Sequence, residues 1–348
     1  MKYLVQADSD YLSRYVSPRV GETRVGQEIR LSDRDVEASL TKLQRSGVKF
    51  VILGIPEDIG PRANLGRGGA DTGWDAFLNN FLNLQHNQFI NSQQLLLLGH
   101  IDCDDLQQHS YTLSATNCDQ LAELRELVTT LDIRVRSVIE VIIRCQLIPI
   151  VIGGGHNNAL PIIQGASDAL QQSIAAVNLD PHTDFRALEG RHSGNGFSYA
   201  ADQKVLSHYF SLGTHQLKNA TNNLQALKEY DFPFISIQDI LHFRKISWSD
   251  AITTAIEYLK ESDRPIGIEL DLDSITYMPA SAYTNAGFTL SDALYYVHRV
   301  SLLEQSCYLH LAEGAPAQHP AGLAAGASDI GNALANLVCC FIQTKQSV

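Results

Sequence analysis

The chain has 348 residues, of which 45% are hydrophobic and 18% charged, and a net charge of −12. This is a globular composition, long for one domain but within the range of a large α/β sheet. The acidic balance argues against nucleic acid or an anionic membrane surface as partner, and says little about small substrates.

We read the whole of 1–348 as one domain, with 1–47 as an N-terminal extension. The start, MKYLVQADSD, is polar too early for a signal peptide. Strand-like apolar runs are predicted at 48–55 and 94–102, with a polar loop at 107–117. A helix follows at 118–145, where apolar residues recur every three or four positions. Further strands are predicted at 148–154, 174–180, 208–213, 232–237, 266–273 and 307–313. Helices are predicted at 248–262, 290–305 and 327–343, several with Ser or Asp placed as an N-cap. No apolar run approaches the roughly 20 residues of a membrane span. Strands alternating with helices imply a parallel sheet covered on both faces. In such sheets ligands bind beyond the carboxyl ends of the strands. The six cysteines include no C-x-x-C pair, which points away from a disulfide framework and toward a reducing, cytoplasmic setting.

Three strand ends carry chemistry. IPIVIGGG leads into His156, SIAAVNLD into Asp180, His182 and Asp184, and IGIELDLD into Asp271 and Asp273. Buried carboxylates in such places carry a heavy desolvation penalty unless a cation offsets it. Read as extended chain, Asp180, His182 and Asp184 face one way, as do Asp271 and Asp273. Four carboxylates balance two divalent cations. The mixed Asp and His set suits Mn²⁺, with Zn²⁺, Fe²⁺, Co²⁺ or Ni²⁺ as alternatives. Two metals about 3.5–4 Å apart are a known means of activating one water. Each motif alone has a plainer explanation: GGG as a turn, DPHTD as a capped turn, DLD as a helix start. The three together, each after an apolar strand, are hard to reconcile with chance.

The order GG-x-H, D-x-H-x-D, D-x-D resembles the ureohydrolase (arginase/agmatinase/formimidoylglutamase) superfamily. GIPEDIGPRANLGRGGA at 54–70, HSGNGFSYA at 192–200, YMPASAYTNAGFTLSDALYYV at 277–297 and HLAEGAPA at 310–317 also fit, so the likeness runs from about residue 48 to the C-terminus. It implies an arginase-like three-layer αβα sandwich with a mainly parallel central sheet, two Mn²⁺ per chain, and a homo-oligomer, trimeric or hexameric. The implied roles are metal ligation by the six residues above, orientation of the water by Asp184, and binding of the cationic substrate group by Glu313. Arginases and agmatinases tend to show H-T-D-x-N and S-G-N-x-H-G. Here Arg186 stands in place of the Asn, and Phe197 in place of the His proposed as proton shuttle. Both features resemble the formimidoylglutamase branch. Formimidoylglutamate carries two carboxylates, and a guanidinium clamps a carboxylate in bidentate fashion. Arg186 is therefore the expected clamp, with Ser193 and Asn195 as neutral hydrogen-bonding groups. Arg62, Arg67 and Arg191 are candidates for added positive field. His192 is a candidate replacement for the shuttle, and Tyr199 a candidate pocket residue. The other histidines, His310 among them, read as surface or hydrogen-bonded core residues.

There are departures from the family pattern: Asn157 after His156, DPH for DAH, and SITYMP after D-x-D. None removes a ligand. Three functions remain in view: a formimidoylglutamase releasing glutamate and formamide, a guanidino-acid or agmatine-type hydrolase releasing urea, and a non-catalytic metal-binding relative.

Overall fold

A computed structural model describes residues 1–347. The apolar runs form one nine-stranded sheet in the order β1-β3-β2-β4-β9-β8-β5-β6-β7. The strands are β1 Leu4–Gln6, β2 Phe50–Gly54, β3 Leu95–Ile101, β4 Ile148–Ile152, β5 Ile174–Leu179, β6 Leu206–Thr214, β7 Phe234–Ser236, β8 Ile266–Asp271 and β9 Ser306–Ala312. Every pairing is parallel except that of β1 with β3. All eight strands expected from the apolar runs are present; β1, drawn from the extension, was not foreseen.

Alternate residues of the central strands face two separate cores. One holds Ile150, Ile152, Val177, Leu179, Ile268, Leu270, Leu309 and Leu311. It is covered by helices Gly73–Phe81, Trp248–Glu261, Leu290–Ser301 and Leu323–Ser347. The other holds Val51, Leu53, Val151, Ala176 and Tyr308, under helices Val36–Arg45, Cys118–Arg144 and Ala159–Leu170. The result is the three-layer αβα arrangement. Helix starts are fixed by short polar side chains. Asn117 accepts from the backbone N–H of Asp119 and Gln120, and Ser247 from that of Asp250.

Three expectations need correction. The polar segment 107–117 is not all loop: helix Asp104–Ser110 enters it, its polar residues anchoring neighbours, as when Gln107 Nε2 donates to Asp58 at 2.7 Å. The helix expected at 290–305 stops at Ser301. The last helix runs from Leu323 to Ser347 and is long and apolar enough, by length and composition, to cross a membrane. Its apolar side, including Ile330, Leu334, Val338 and Phe341, is buried in the first core.

β4 and β5 are consecutive in sequence but separated in the sheet by β9 and β8. Chain direction across the sheet changes there, which opens a crevice at the carboxyl ends.

Candidate metal centre

Four neighbouring strands, β4, β9, β8 and β5, deliver the polar groups. After β4, Gly153 and Gly154 take positive φ values of 84° and 71°. A Cβ on Gly154 would lie 2.5 Å from Asn158 Nδ2 and 2.8 Å from Glu57 Oε1, so the turn has no room for a side chain. Buried Glu57 accepts from the Gly155 N–H at 2.7 Å, and His156 follows on a 3₁₀ turn, His156–Asn158. Beyond β5, Asp180 Oδ1 accepts from the His182 N–H at 2.6 Å, curling the chain, and Asp184 sits at φ 45°. The strand stops at Leu179. Asp180, His182 and Asp184 therefore converge from a loop, and not from one face of an extended strand as the spacing suggested. Asp271 ends β8, and its Oδ1 accepts from the Asp273 N–H at 2.7 Å. Glu313, just past β9, is held at φ 65°; it accepts from the His156 N–H at 2.9 Å and from Ser281 Oγ at 2.6 Å.

The six expected ligands meet in two overlapping clusters. His156 Nδ1 lies 3.0 Å from Asp184 Oδ2, 3.2 Å from Asp180 Oδ2 and 3.5 Å from Asp271 Oδ2. His182 Nδ1 lies 3.1 Å from Asp273 Oδ2 and 3.4 Å from Asp180 Oδ1. Asp180 thus offers one oxygen to each cluster. His156 Nδ1 and Asp273 Oδ1 are buried and make no hydrogen bond, although oxygens surround the imidazole nitrogen. One unsatisfied buried atom in each of the two clusters fits a pair of divalent cations.

The electrostatics agree. Burial alone would lower the pKa of His156, but the carboxylates of Asp180, Asp184, Asp271 and Glu269 outweigh it and raise the pKa well above the usual value. Burial, reinforced by the Asp180 charge, pushes Asp184 up to about 6. Burial with the charges of Asp273 and Asp180 raises Asp271 strongly, and burial pushes Glu313 up to about 8. So many crowded carboxylates gain from nearby positive charge, which favours their ionised forms.

A cavity of about 190 Å³ opens onto this cluster. Asp184, Asp271, Asp273 and Glu313 form its acidic floor, with His182 beside them. Asn64, Arg186, Ser193 and Lys218 stand in the same wall. Arg186 and Lys218 form no ion pair among the described residues.

Several expected substrate contacts are placed elsewhere. Asn195 is buried outside the cavity wall. Its Oδ1 accepts from Arg191 at 2.6 Å and from the His192 N–H at 3.1 Å, and its amide donates to Gly190 O at 2.8 Å. It shapes the loop and has no polar atom left for substrate. Arg191 is paired with Asp132 at 2.8 Å, and Arg62 donates to Ser110 and Leu113; both are structural. Arg67 is exposed and outside the wall. His192 is fully buried, accepts from the Gly194 N–H at Nδ1 and faces Glu189 at 3.2 Å, so it does not take the shuttle's place. Tyr199 lies under Arg191 and away from the cavity. Lys218, Asn64, Ser281, Glu57 and Glu269 were not foreseen. Glu269 opens the alternating E-x-D-x-D run, and Glu57, Asn64 and Ser281 lie in the family-like segments 54–70 and 277–297 without having been singled out.

The crevice at the strand ends of this αβα sheet is floored by a cluster of carboxylates and imidazoles that shares Asp180. The chain belongs to the Arginase family, whose model matches residues 48–339. A formimidoylglutamase of Macrococcus caseolyticus is 25% identical over 211 residues, 59% of this chain and 58% of that protein. The chain spans about three fifths of the length of the first curated relatives it matches. A formimidoylglutamase of Streptococcus pyogenes is 24% identical over 88% of this chain and 86% of its own length. The crystal structure of formimidoylglutamase from Bacillus subtilis superposes with a TM-score of 0.74 at 13% identity, covering 95% of both chains. Formiminoglutamase of Trypanosoma cruzi with Mn²⁺ superposes at 0.66 with 17% identity, covering 91% of this chain and 99% of that one. At these identities the superpositions establish the arginase fold.

Proposed function

We propose that the protein hydrolyses N-formimidoyl-L-glutamate to L-glutamate and formamide, with Mn²⁺ as the bound ion. The observation that carries the reading is the pairing of an acidic floor with two unpaired cations, Arg186 and Lys218, in one small cavity. These two cations suit a substrate with two carboxylates. The curated relatives named formimidoylglutamase support the same choice.

Two divalent ions held by His156, Asp180, His182, Asp184, Asp271 and Asp273 would supply the Lewis acidity that makes a water nucleophilic near neutral pH. Asp184 borders the cavity, where it can accept a hydrogen bond from that water and orient it. Glu313 faces the same space, immobilised by the His156 N–H and Ser281, and offers a carboxylate to the protonated formimidoyl nitrogen. The water oxygen adds to the formimidoyl carbon as one water proton passes to Asp184, and the protonated imino nitrogen becomes a neutral amine. That proton then goes to the glutamate nitrogen, the bond from the carbon to it breaks, the hydroxyl proton leaves to the released amine as the carbonyl forms, and formamide remains. Phe197 cannot move a proton, so Asp184 carries that transfer. Arg186 and Lys218 bind the carboxylates and hold the carbon over the nucleophile.

The reading extends to a cytoplasmic enzyme working as a homo-oligomer; six free thiols among the described residues fit a reducing compartment. The test is a substrate panel with Mn²⁺, assayed for both formamide and urea. Glutamate and formamide from formimidoylglutamate are expected. Urea from agmatine or a guanidino acid, with no turnover of formimidoylglutamate, would reject the proposal in favour of the urea-releasing branch.

A further inference from the structure

The strands that deliver the ligands carry a second polar layer beneath them. Asn178 on β5, Glu269 on β8 and His310 on β9 are neighbours in register. Each lies two residues before the level of Asp180, Asp271 and Ala312, and so on the same sheet face. All three are fully buried. Val151 and Ala176, on the same face, are the apolar residues such a position ordinarily holds. A buried carboxylate is costly and packing does not require one.

Every oxygen of Glu269 is engaged. Oε2 lies 2.6 Å from His310 Nδ1 and 3.4 Å from His156 Nε2, and Oε1 accepts from Tyr308 OH at 2.7 Å. His156 therefore turns one ring nitrogen toward three aspartates and the other toward Glu269. A separate ion among His156, Glu269 and His310 does not fit. The 2.6 Å contact is a hydrogen bond, and a cation with bonds of about 2.0–2.3 Å would hold the two atoms further apart.

We propose that Glu269 is a positioning residue for His156. It accepts the Nε2–H, which fixes the tautomer whose Nδ1 lone pair faces Asp180, Asp184 and Asp271. His310 and Tyr308 lock the Glu269 carboxylate in that orientation. Ligation at Nδ1 acidifies Nε2–H and tightens the long contact, so the layer raises affinity at the His156 side of the centre and leaves the His182 side alone. Asn178 does the corresponding work under Asp180, donating to its Oδ2 at 3.0 Å. The inference rests on the two-ion reading of the centre and is independent of the substrate.

Calorimetric titration of the full chain with Mn²⁺ tests it, with His156→Ala and His182→Ala assigning the two binding events. Glu269→Gln is expected to weaken the His156-side ion by about 10–100-fold and to leave the other within about twofold. Tyr308→Phe, which removes one hydroxyl, is expected to have a smaller effect at the same ion. Folded Glu269→Gln with both affinities unchanged overturns the role. Should that variant not fold, the ring ¹⁵N signals of His156 in Zn²⁺-loaded wild type decide. Nδ1 ligated and Nε2 protonated supports the role; Nε2 unprotonated overturns it. Wild type that binds no ion rejects the centre itself, a failure distinct from loss of the Glu269 effect alone.

Discussion

Phe197 packs edge-on against the His156 imidazole, with ring centroids 5.4 Å apart at 82°, and stacks on Tyr209 at 4.4 Å. Phe197 is thus a fully buried wedge behind His156. Replacing it removes packing on the ligand and leaves the cavity wall intact. Phe197→Ala is expected to cost about 3–5 kcal/mol in denaturant unfolding. It is also expected to weaken Mn²⁺ binding, because the His156 ring gains freedom.

Asp180 offers an oxygen to each cluster, whereas Asp273 belongs to one. Asp180→Asn is expected to weaken both ions by more than about 100-fold, beyond what outer partners contribute. Asp273→Asn is expected to release the His182-side ion first. Metal content after dialysis, read as ions per chain, separates the two.

Arg186 and Lys218 reach the cavity from different loops and have no acidic partner among the described residues. Arg186→Met and Lys218→Met are each expected to raise KM for a dicarboxylate substrate by about 10–100-fold, the worth of a charge-assisted hydrogen bond. The effect on kcat should be small if they hold substrate and transition state alike. Steady-state kinetics with formimidoylglutamate checks this; unchanged KM in both would remove the carboxylate-binding role.

His192 gives a pH signature unrelated to the reaction. Burial first, then the Arg125, Arg191 and Arg186 charges, push its pKa down to about 3. The nearby Glu189 carboxylate would act the other way, but Nδ1 already accepts the Gly194 N–H and has no lone pair for a second proton. The folded state therefore keeps this ring neutral. Between about 3 and the ordinary 6.5 the unfolded chain binds the extra proton, so the contribution is complete above pH 6.5 and is lost as pH falls toward 3. His192→Asn keeps a capping side chain and is expected to flatten that loss. Urea melts of metal-free protein from pH 4 to 7, compared with wild type, measure it.

The sheet was readable because eight of its nine strands lie in short, strand-length apolar runs. β1 was not: three half-buried residues become a strand only by pairing with β3. The cluster of six candidate ligands was legible because each group follows a strand, although Asp180–Asp184 converge through an Asx turn and a left-handed Asp184 and not through strand alternation. Asn195 was misread because its motif neighbours the site; buried Arg191 claims its oxygen. Lys218 carries no pattern of its own and gains meaning only from what lies opposite it. Glu269 and His310 meet through β8–β9 register, which sequence spacing does not disclose.

Anomalous diffraction from crystals grown with Mn²⁺ is the most direct test of the two-ion centre. Two peaks are expected, one bounded by His156, Asp180, Asp184 and Asp271, the other by His182, Asp180 and Asp273. No peak in that pocket, or a single ion bound without Asp180, would contradict the shared-carboxylate centre on which the proposed hydrolysis depends.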